Sequence, residues 1–334
     1  MHNLIETVNE IYQTINPKQI DAYKVGPLLY SPATNGQIFK KLLAQNWGSK
    51  FSLALCLEDA IDDDAVELGE KTIAETFREL YEHIEKFTYI PQIFIRVRNP
   101  EQIPRLYQAL GRSIILLRGF VIPKFTPENG PAYIAEIKKI NQVSGHTLYM
   151  MPILESKELI PLTTRQQMLE EIYHLLMDCK EYVLNIRVGG NDLCNTFGVR
   201  RNSNETIYDI RPVSNVLIDI VTWFFNDFII SAPVWEYFAD ENNCWKTGLE
   251  NELRLDMING FTGKTIIHPN QIPVVEDALK VNRSDLADAI QILAPHHNEL
   301  LVSKSAAGTR MNEIKTHTNW AKKQIILGKL YGVK

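Results

Sequence analysis

Leu53-Ala54-Leu55-Cys56-Leu57-Glu58-Asp59 is an apolar run that ends abruptly in two carboxylates, and a longer stretch of mixed apolar and charged residues follows it. A short run of near-continuous hydrophobicity is how a parallel strand reads, because crossover helices cover both faces of its sheet. The helix-like stretch behind it completes a βα unit. Working outward, the rhythm recurs at Val25 to Ser31, Gln92 to Arg98, Gly119 to Lys124, Leu148 to Leu154, Val183 to Val188, Ile229 to Ala232 and Lys264 to His268, eight candidate strands in all. Their starts lie roughly 25 to 45 residues apart, room for a strand, two loops and a crossover helix. Eight such units favour a closed (β/α)8 barrel of the TIM type, an α/β fold, over an open sheet.

The flanks of the repeat set the domain plan. Leu4 to Ile15 has the pattern of an amphipathic helix, and Pro17 ends it before the first strand. After the eighth strand, Pro273 to Val281, Leu286 to Leu293 and Asn319 to Leu330 are helical in periodicity. The plan is therefore a barrel with its N-terminal helix over residues 1–270. The last barrel helix and a C-terminal helical extension, a lid or oligomerisation segment, occupy residues 271–334.

Composition narrows the function classes. A chain of 334 residues with 45% hydrophobic and 22% charged residues buries a sizeable core. A formal net charge of -5, with no block of consecutive Lys or Arg, gives no footprint for nucleic acid. Cysteines 56, 179, 194 and 244 form no C-x-x-C pair and no zinc spacing, which fits a reducing cytoplasm. The N-terminus lacks the basic and apolar regions of a secretory signal. Residues 216 to 235 are interrupted by Asp219, Asn226 and Asp227 and read as a buried helix followed by a strand, so no membrane span is expected.

In a parallel barrel the loops beyond the strands' carboxyl ends build the active site. Here strand two ends in Glu58-Asp59, strand three in Arg96-Val97-Arg98-Asn99, strand four in Lys124, strand five in Glu155, strand six in Gly189-Gly190-Asn191-Asp192 and strand eight in His268-Pro269-Asn270. Isolated charges are expensive to bury, so charges of both signs at one mouth either pair with one another or hold a metal and an anionic substrate. Glu155 and Asp192, on neighbouring strands, suit Mg2+, which takes few protein ligands and keeps several waters. The plainer reading pairs them with Arg96, Arg98 or Lys124 as closure of the barrel top.

Arg96 and Arg98 alternate along strand three, which points both the same way. One clamps a substrate carboxylate, and the other either joins it or serves as counter-ion to Glu58 or Asp59. His268 reads as a structural hydrogen bonder rather than a base. Cys56 reads as core, and Cys194 has no activating base in view. Gly189 and Gly190 read as a sharp strand-to-loop turn. The segment from Asn195 to Pro212, with Arg200, Arg201 and Arg211, is either a lid or a solvated loop.

The motifs also carry a resemblance. In order they are Leu29-Tyr30-Ser31-Pro32, Leu57-Glu58-Asp59-Ala60, Arg96, Pro123-Lys124, Pro152-Ile153-Leu154-Glu155 and Gly190-Asn191-Asp192-Leu193, with Gly260-Phe261-Thr262-Gly263-Lys264-Thr265-Ile266-Ile267-His268-Pro269-Asn270-Gln271 as the most specific. Together they resemble the HpcH/HpaI aldolase and citrate lyase family, in the branch similar to the citrate lyase beta subunit. The resemblance implies a Mg2+- or Mn2+-dependent lyase or aldolase that breaks or makes a carbon–carbon bond beside a carbonyl, on a small anionic 2-oxo acid or an acyl-CoA thioester. It implies Glu155 and Asp192 as metal ligands and Arg96 as the group that holds the substrate carboxylate or developing enolate. Glu58, Asp59 and Lys124 then belong to the catalytic cluster, and Arg98, Ser31, Asn191 and Pro233 to the substrate contacts. A homo-oligomer, trimer or hexamer, is implied as well.

The chain departs from the family pattern in three places. The extra arginine of Arg96-Val97-Arg98-Asn99 implies a larger substrate anion or a shifted register. No histidine stands near Ser31-Pro32-Ala33-Thr34, which argues against the pyruvate aldolase branch. In the C-terminal lid, Arg310-Met311-Asn312-Glu313-Ile314-Lys315 puts Glu313 at the position of an aspartate and lacks the proline, which weakens acyl-CoA chemistry. Two other readings stand beside the lyase. One is a phosphoenolpyruvate- or phosphate-using barrel relative, with Arg98 and Lys124 as anion contacts. The other is a non-catalytic metabolite-binding scaffold.

Overall fold

The computed structural model describes residues 2–44, 49–294 and 301–334, with side chains from residue 7 onward. Its main sheet contains β1 (Pro27–Pro32), β2 (Ser52–Cys56), β3 (Gln92–Arg96), β4 (Leu117–Ile122), β5 (Tyr149–Leu154), β6 (Ile186–Val188), β7 (Ile230–Ser231) and β8 (Lys264–Ile266). Each strand pairs in parallel with the next, and β1 also pairs with β8. The ring completes where Ala232 N donates to Gly263 O at 3.1 Å and Thr265 N donates to Ala232 O at 3.3 Å. This is the eight-stranded parallel barrel that the apolar rhythm implies, and every expected strand overlaps an observed one. β7 is the shortest because Pro233 follows it and has no N–H to extend a ladder.

A helix follows each strand, from Val66–Glu82 after β2 to Cys244–Ile258 after β7. The Cys244–Ile258 helix is fastened to the barrel by a buried network. Lys264 Nζ lies 2.8 Å from Glu252 Oε1 and 2.7 Å from Asp256 Oδ2. Glu252 also pairs with Arg201 Nε at 3.2 Å and accepts from Ile207 N at 2.7 Å. The lysine of the most specific motif therefore turns outward to the helix layer. Gly263 before it has a φ of +79, and a side chain there would come within 2.5 Å of Gly26 O. Only glycine lets β8 enter the ring against the lead-in to β1.

The chain divides into two compact units, residues 25–275 and residues 1–24 with 276–334. The second contains the helices His2–Gln13, Pro17–Lys24, Arg283–Leu293 and Ile314–Tyr331 and a hairpin of β9 (Val302–Lys304) and β10 (Met311–Glu313). Pro17 ends no structure; it starts a second helix, since the first helical position needs no N–H. Ala289, Ile290, Ile292, Ala321 and Ile325 form the core of this unit, with Val8, Ile11, Tyr12 and Trp320 packed against it. Arg310 joins hairpin to helix, 2.6 Å from both Asp285 Oδ1 and Asp288 Oδ2. Residues 216 to 235 fall on the Arg211–Phe224 helix and β7, and no helix among the described residues is long and apolar enough to cross a membrane.

Candidate active site

A cavity of about 560 Å³ opens at the carboxyl ends of the barrel strands, where the twist of a parallel barrel leaves room between loops. Tyr30 and Ser31 of β1, Asp59, Arg96, Arg187, the Gly189–Asp192 turn and Thr265 are among the residues that line it. Ser31 is buried, and its Oγ accepts from Asn35 Nδ2 at 3.0 Å.

On one side the charges expected from the strand ends converge. Arg96 Nη2 lies 2.6 Å from Glu58 Oε2, 3.0 Å from Asp59 Oδ2 and 3.5 Å from Glu155 Oε1. Lys124 Nζ lies 2.6 Å from Glu58 Oε1 and 3.2 Å from Asp59 Oδ1. Asp59 N donates to Glu58 Oε2 at 2.8 Å, which fixes the L-E-D-A turn around the arginine. Burial lowers the Arg96 pKa, but the Tyr30 phenol oxygen and the carboxylates of Glu155 and Glu58 more than offset this and keep the guanidinium charged. Burial likewise lowers Lys124, and hydrogen bonding and charge from Glu58 and Asp59 raise it well above the usual lysine range.

The two acids of this turn diverge. Burial pushes Glu58 up, against the opposing charge of Arg96. Burial also raises Asp59, but the hydrogen bond with Glu58 and the charges of Arg96 and Lys124 together hold it below its ordinary value.

Glu155 stands directly after β5 and is 5% exposed. Its Oε1 accepts from Lys124 N at 2.9 Å, and Lys124 takes a left-handed φ of 47 to present that N–H. A non-glycine residue in that region is strained, and such strain concentrates at functional sites. Burial raises the Glu155 carboxyl to about 7; the charge of Asp192 adds to the rise and that of Arg96 opposes it. Gly189 and Gly190 are required by space, not by the sharp turn read from the sequence. A side chain on Gly189 would fall 1.9 Å from Glu155 Oε2, and one on Gly190 would fall 2.5 Å from Ile207 Cδ1 and 2.7 Å from Pro233 Cβ. Asp192 and Asn191 open the Gly190–Thr196 helix and line the cavity.

Other expected residues sit elsewhere. β3 ends at Arg96, so the strand alternation that would aim Arg98 at the mouth no longer applies. Arg98 turns instead to the loop after β2, donating from Nε to Leu57 O at 2.5 Å and from Nη2 to Ile61 O at 2.8 Å, and pairing with Asp63. Pro233 packs on Gly190, and the cavity wall beside it is Val234. His268 stacks on Phe238 at 4.5 Å and its Nδ1 accepts from Asn270 N at 3.2 Å, a structural arrangement. In the segment from Asn195 to Pro212, Arg201 is buried against Trp235 and Glu252, while Arg200 lines the cavity and pairs with Glu236 at 3.0 Å. Glu313 caps the last helix, with its N–H donated to His317 Nδ1 at 2.9 Å.

Tyr30, Thr265 and above all Arg187 line the cavity although none of them is a charge at a strand's end. Arg187 lies inside an apolar run, where the eye reads a strand rather than a site. The available signal was a charge at the centre of a strand that must face either the barrel interior or the helices.

The family of carbon–carbon bond lyases with the TIM-barrel fold matches residues 19–333 of this chain. No curated protein matches the sequence. Among solved structures, the crystal structure of CitE from Mycobacterium tuberculosis in complex with magnesium, acetoacetate and coenzyme A has a TM-score of 0.60 and 16% identity, over 91% of this chain and 98% of that one. RipC from Yersinia pestis has a TM-score of 0.51 and 16% identity, over 77% of this chain and 96% of its own. CitE in complex with magnesium and pyruvate has a TM-score of 0.50 and 17% identity, over 76% and 90%. At these identities the likeness is one of fold.

Proposed function

The chain belongs to the C–C bond lyase family of the TIM-barrel fold, and from that premise we propose that it cleaves or forms a carbon–carbon bond beside a carbonyl, with a divalent cation held by Glu155 and Asp192. The observation that carries this reading is the charge balance at the barrel mouth. Among the described residues Glu58, Asp59 and Glu155 form ion pairs only with Arg96 and Lys124, Asp192 adds a further negative charge beside Glu155, and Glu155 is buried. A buried carboxylate beside another is costly unless a cation compensates it.

The donor set fits Mg2+ or Mn2+. Among the described residues no three His, Cys, Asp or Glu side chains form a metal cluster, and two carboxylates with waters are the protein ligation that Mg2+ favours. The magnesium in the CitE complex with acetoacetate and coenzyme A supports the choice of metal. Bound there, the cation supplies Lewis-acid polarisation of a substrate oxygen.

The remaining work falls to the chain's own residues. Arg96, kept charged by its acidic neighbours, sits where negative charge develops as the bond breaks, and a preorganised cation in a dry site lowers that barrier. Glu58 and Asp59 hold its Nη2, and Lys124 ties the two acids together, so these three position Arg96. Ser31 and Asn191 line the space left for substrate. Small 2-oxo acids and acyl-CoA thioesters are the substrate classes, and a homo-oligomer is the assembly, that this reading favours.

Deuterium exchange at the carbon beside the carbonyl, followed by NMR for pyruvate and acetyl-CoA in D2O, tests the reading. Exchange that needs Mg2+ in the parent and falls at least about 100-fold in Glu155→Gln and Asp192→Asn is expected for loss of electrostatic stabilisation. Equal exchange in all three proteins, or exchange unaffected by EDTA, sinks it.

A further inference from the structure

Arg187 is a buried charged group of the cavity that the cluster around Arg96 does not use. It stands in β6 ahead of the Gly189–Asp192 turn, lines the cavity and is 1% exposed. One donor is engaged, Nη2 to Thr265 Oγ1 at 2.6 Å. Nε and Nη1 meet no hydrogen-bond acceptor among the described residues. No carboxylate pairs with it among those residues, and the polar group set against it is the phenol of Tyr30.

The contrast with Arg96 is sharp, since that guanidinium faces three carboxylates. A cation taken out of water without a counter-charge is among the most expensive arrangements a core can hold, and a hydroxyl does not compensate it. The cost is met when an anion enters. A planar guanidinium with free N–H groups is matched to a carboxylate, which accepts two of them side by side. A cavity of about 560 Å³ also has space for a ligand that reaches beyond the Asp192 end.

We propose that Arg187, with Thr265 and Tyr30, forms an anion subsite on the inner wall of the barrel that binds a carboxylate of the substrate, apart from the carbonyl end handled at Glu155, Asp192 and Arg96. The inference rests on the reading of this cavity as the active site. It makes the substrate an acid with an anionic group remote from the reacting carbonyl. The second arginine contact anticipated at Arg98 is thereby supplied by a different strand, because Arg98 is committed to the loop after β2.

The test titrates the full chain, in EDTA, with butyrate and with its neutral isostere butyramide. The parent is expected to bind butyrate at least roughly 30-fold more tightly, the scale of losing one partner of a buried, hydrogen-bonded charge pair. Arg187→Met is expected to erase that preference. Arg187→Lys, which keeps the charge and loses the fork, retains only part of it and decides the matter if Arg187→Met does not fold. No preference in the parent, or an undiminished preference in the folded variants, overturns the subsite. Inorganic phosphate bound more tightly than butyrate overturns its assignment to carboxylates.

Mn2+ binding, followed by electron paramagnetic resonance, separates the two readings. It stays unchanged in Arg187→Met if the subsite is distinct from the metal ligands. If the parent binds no Mn2+ yet still prefers butyrate, the metal reading fails and the subsite stands.

Discussion

Glu155→Gln is the substitution that isolates the electrostatics of the barrel mouth. Burial raises the Glu155 carboxyl from 4.5 to about 7, so the folded chain binds a proton there more tightly than the unfolded chain does. Below about pH 4.5 the carboxyl is protonated in both states and folding carries no penalty at this site. As pH rises the unfolded chain ionises first, and stability is lost until the folded carboxyl ionises too, near 7. A shift of that size corresponds to roughly 3 kcal/mol of stability, most of it lost as pH rises from 5 to 8.

Glutamine is neutral throughout and keeps an oxygen for Lys124 N, so it removes the penalty with little change of shape. Urea denaturation in EDTA at pH 5 and pH 8 is the assay. The stability of the variant relative to the parent should increase by roughly 2.5 kcal/mol between the two pH values, whatever constant offset the substitution introduces. Mg2+ at pH 8 should then stabilise the parent and leave the variant unmoved, since the cation takes the place of the proton. A difference that stays flat with pH, or shrinks as pH rises, refutes the placement of Glu155 as a buried carboxylate in need of a cation.

Gly189→Ala places a methyl group 1.9 Å from Glu155 Oε2 and should cost about 1–3 kcal/mol by overpacking. Because the displaced group is Glu155, Mg2+ affinity measured by calorimetry should fall by about tenfold or more; unchanged affinity would mean that Glu155 is not a ligand. Lys264→Met leaves Glu252 and Asp256 with less compensation in a buried network and should lower the unfolding free energy by about 3–5 kcal/mol without altering Mg2+ affinity. A variant as stable as the parent, or one that loses the metal, would show that the lysine acts elsewhere.

The barrel was legible because its cause is local. Each strand is buried on both faces and must be apolar along its length, so Leu53 to Leu57 and Leu148 to Leu154 announce themselves without reference to the rest of the chain. The carboxylates that follow them were legible for the same reason, since a charge at a strand's end has only the barrel mouth to occupy. Arg98 departs from the alternation of its sequence neighbours because β3 ends at Arg96, its last paired residue. Lys264 sits in the most specific motif yet serves the helix layer, which follows from the outward pleat of β8 and from partners on the Cys244–Ile258 helix. The helices at the two ends of the chain share one unit because apolar stripes far apart in sequence pack on each other, and no local pattern encodes that pairing.

What the sequence alone determined is the order of strands and helices and the charged character of the barrel mouth, both set by which short segments can lose water. What only the tertiary structure decided is the pairing of those charges. Arg96 collects Glu58, Asp59 and Glu155, while Arg187 goes without a carboxylate among the described residues. Composition counts charges, but the energy of each depends on distances of about 3 Å that exist only when the ends of strands far apart in sequence are brought together at the barrel mouth.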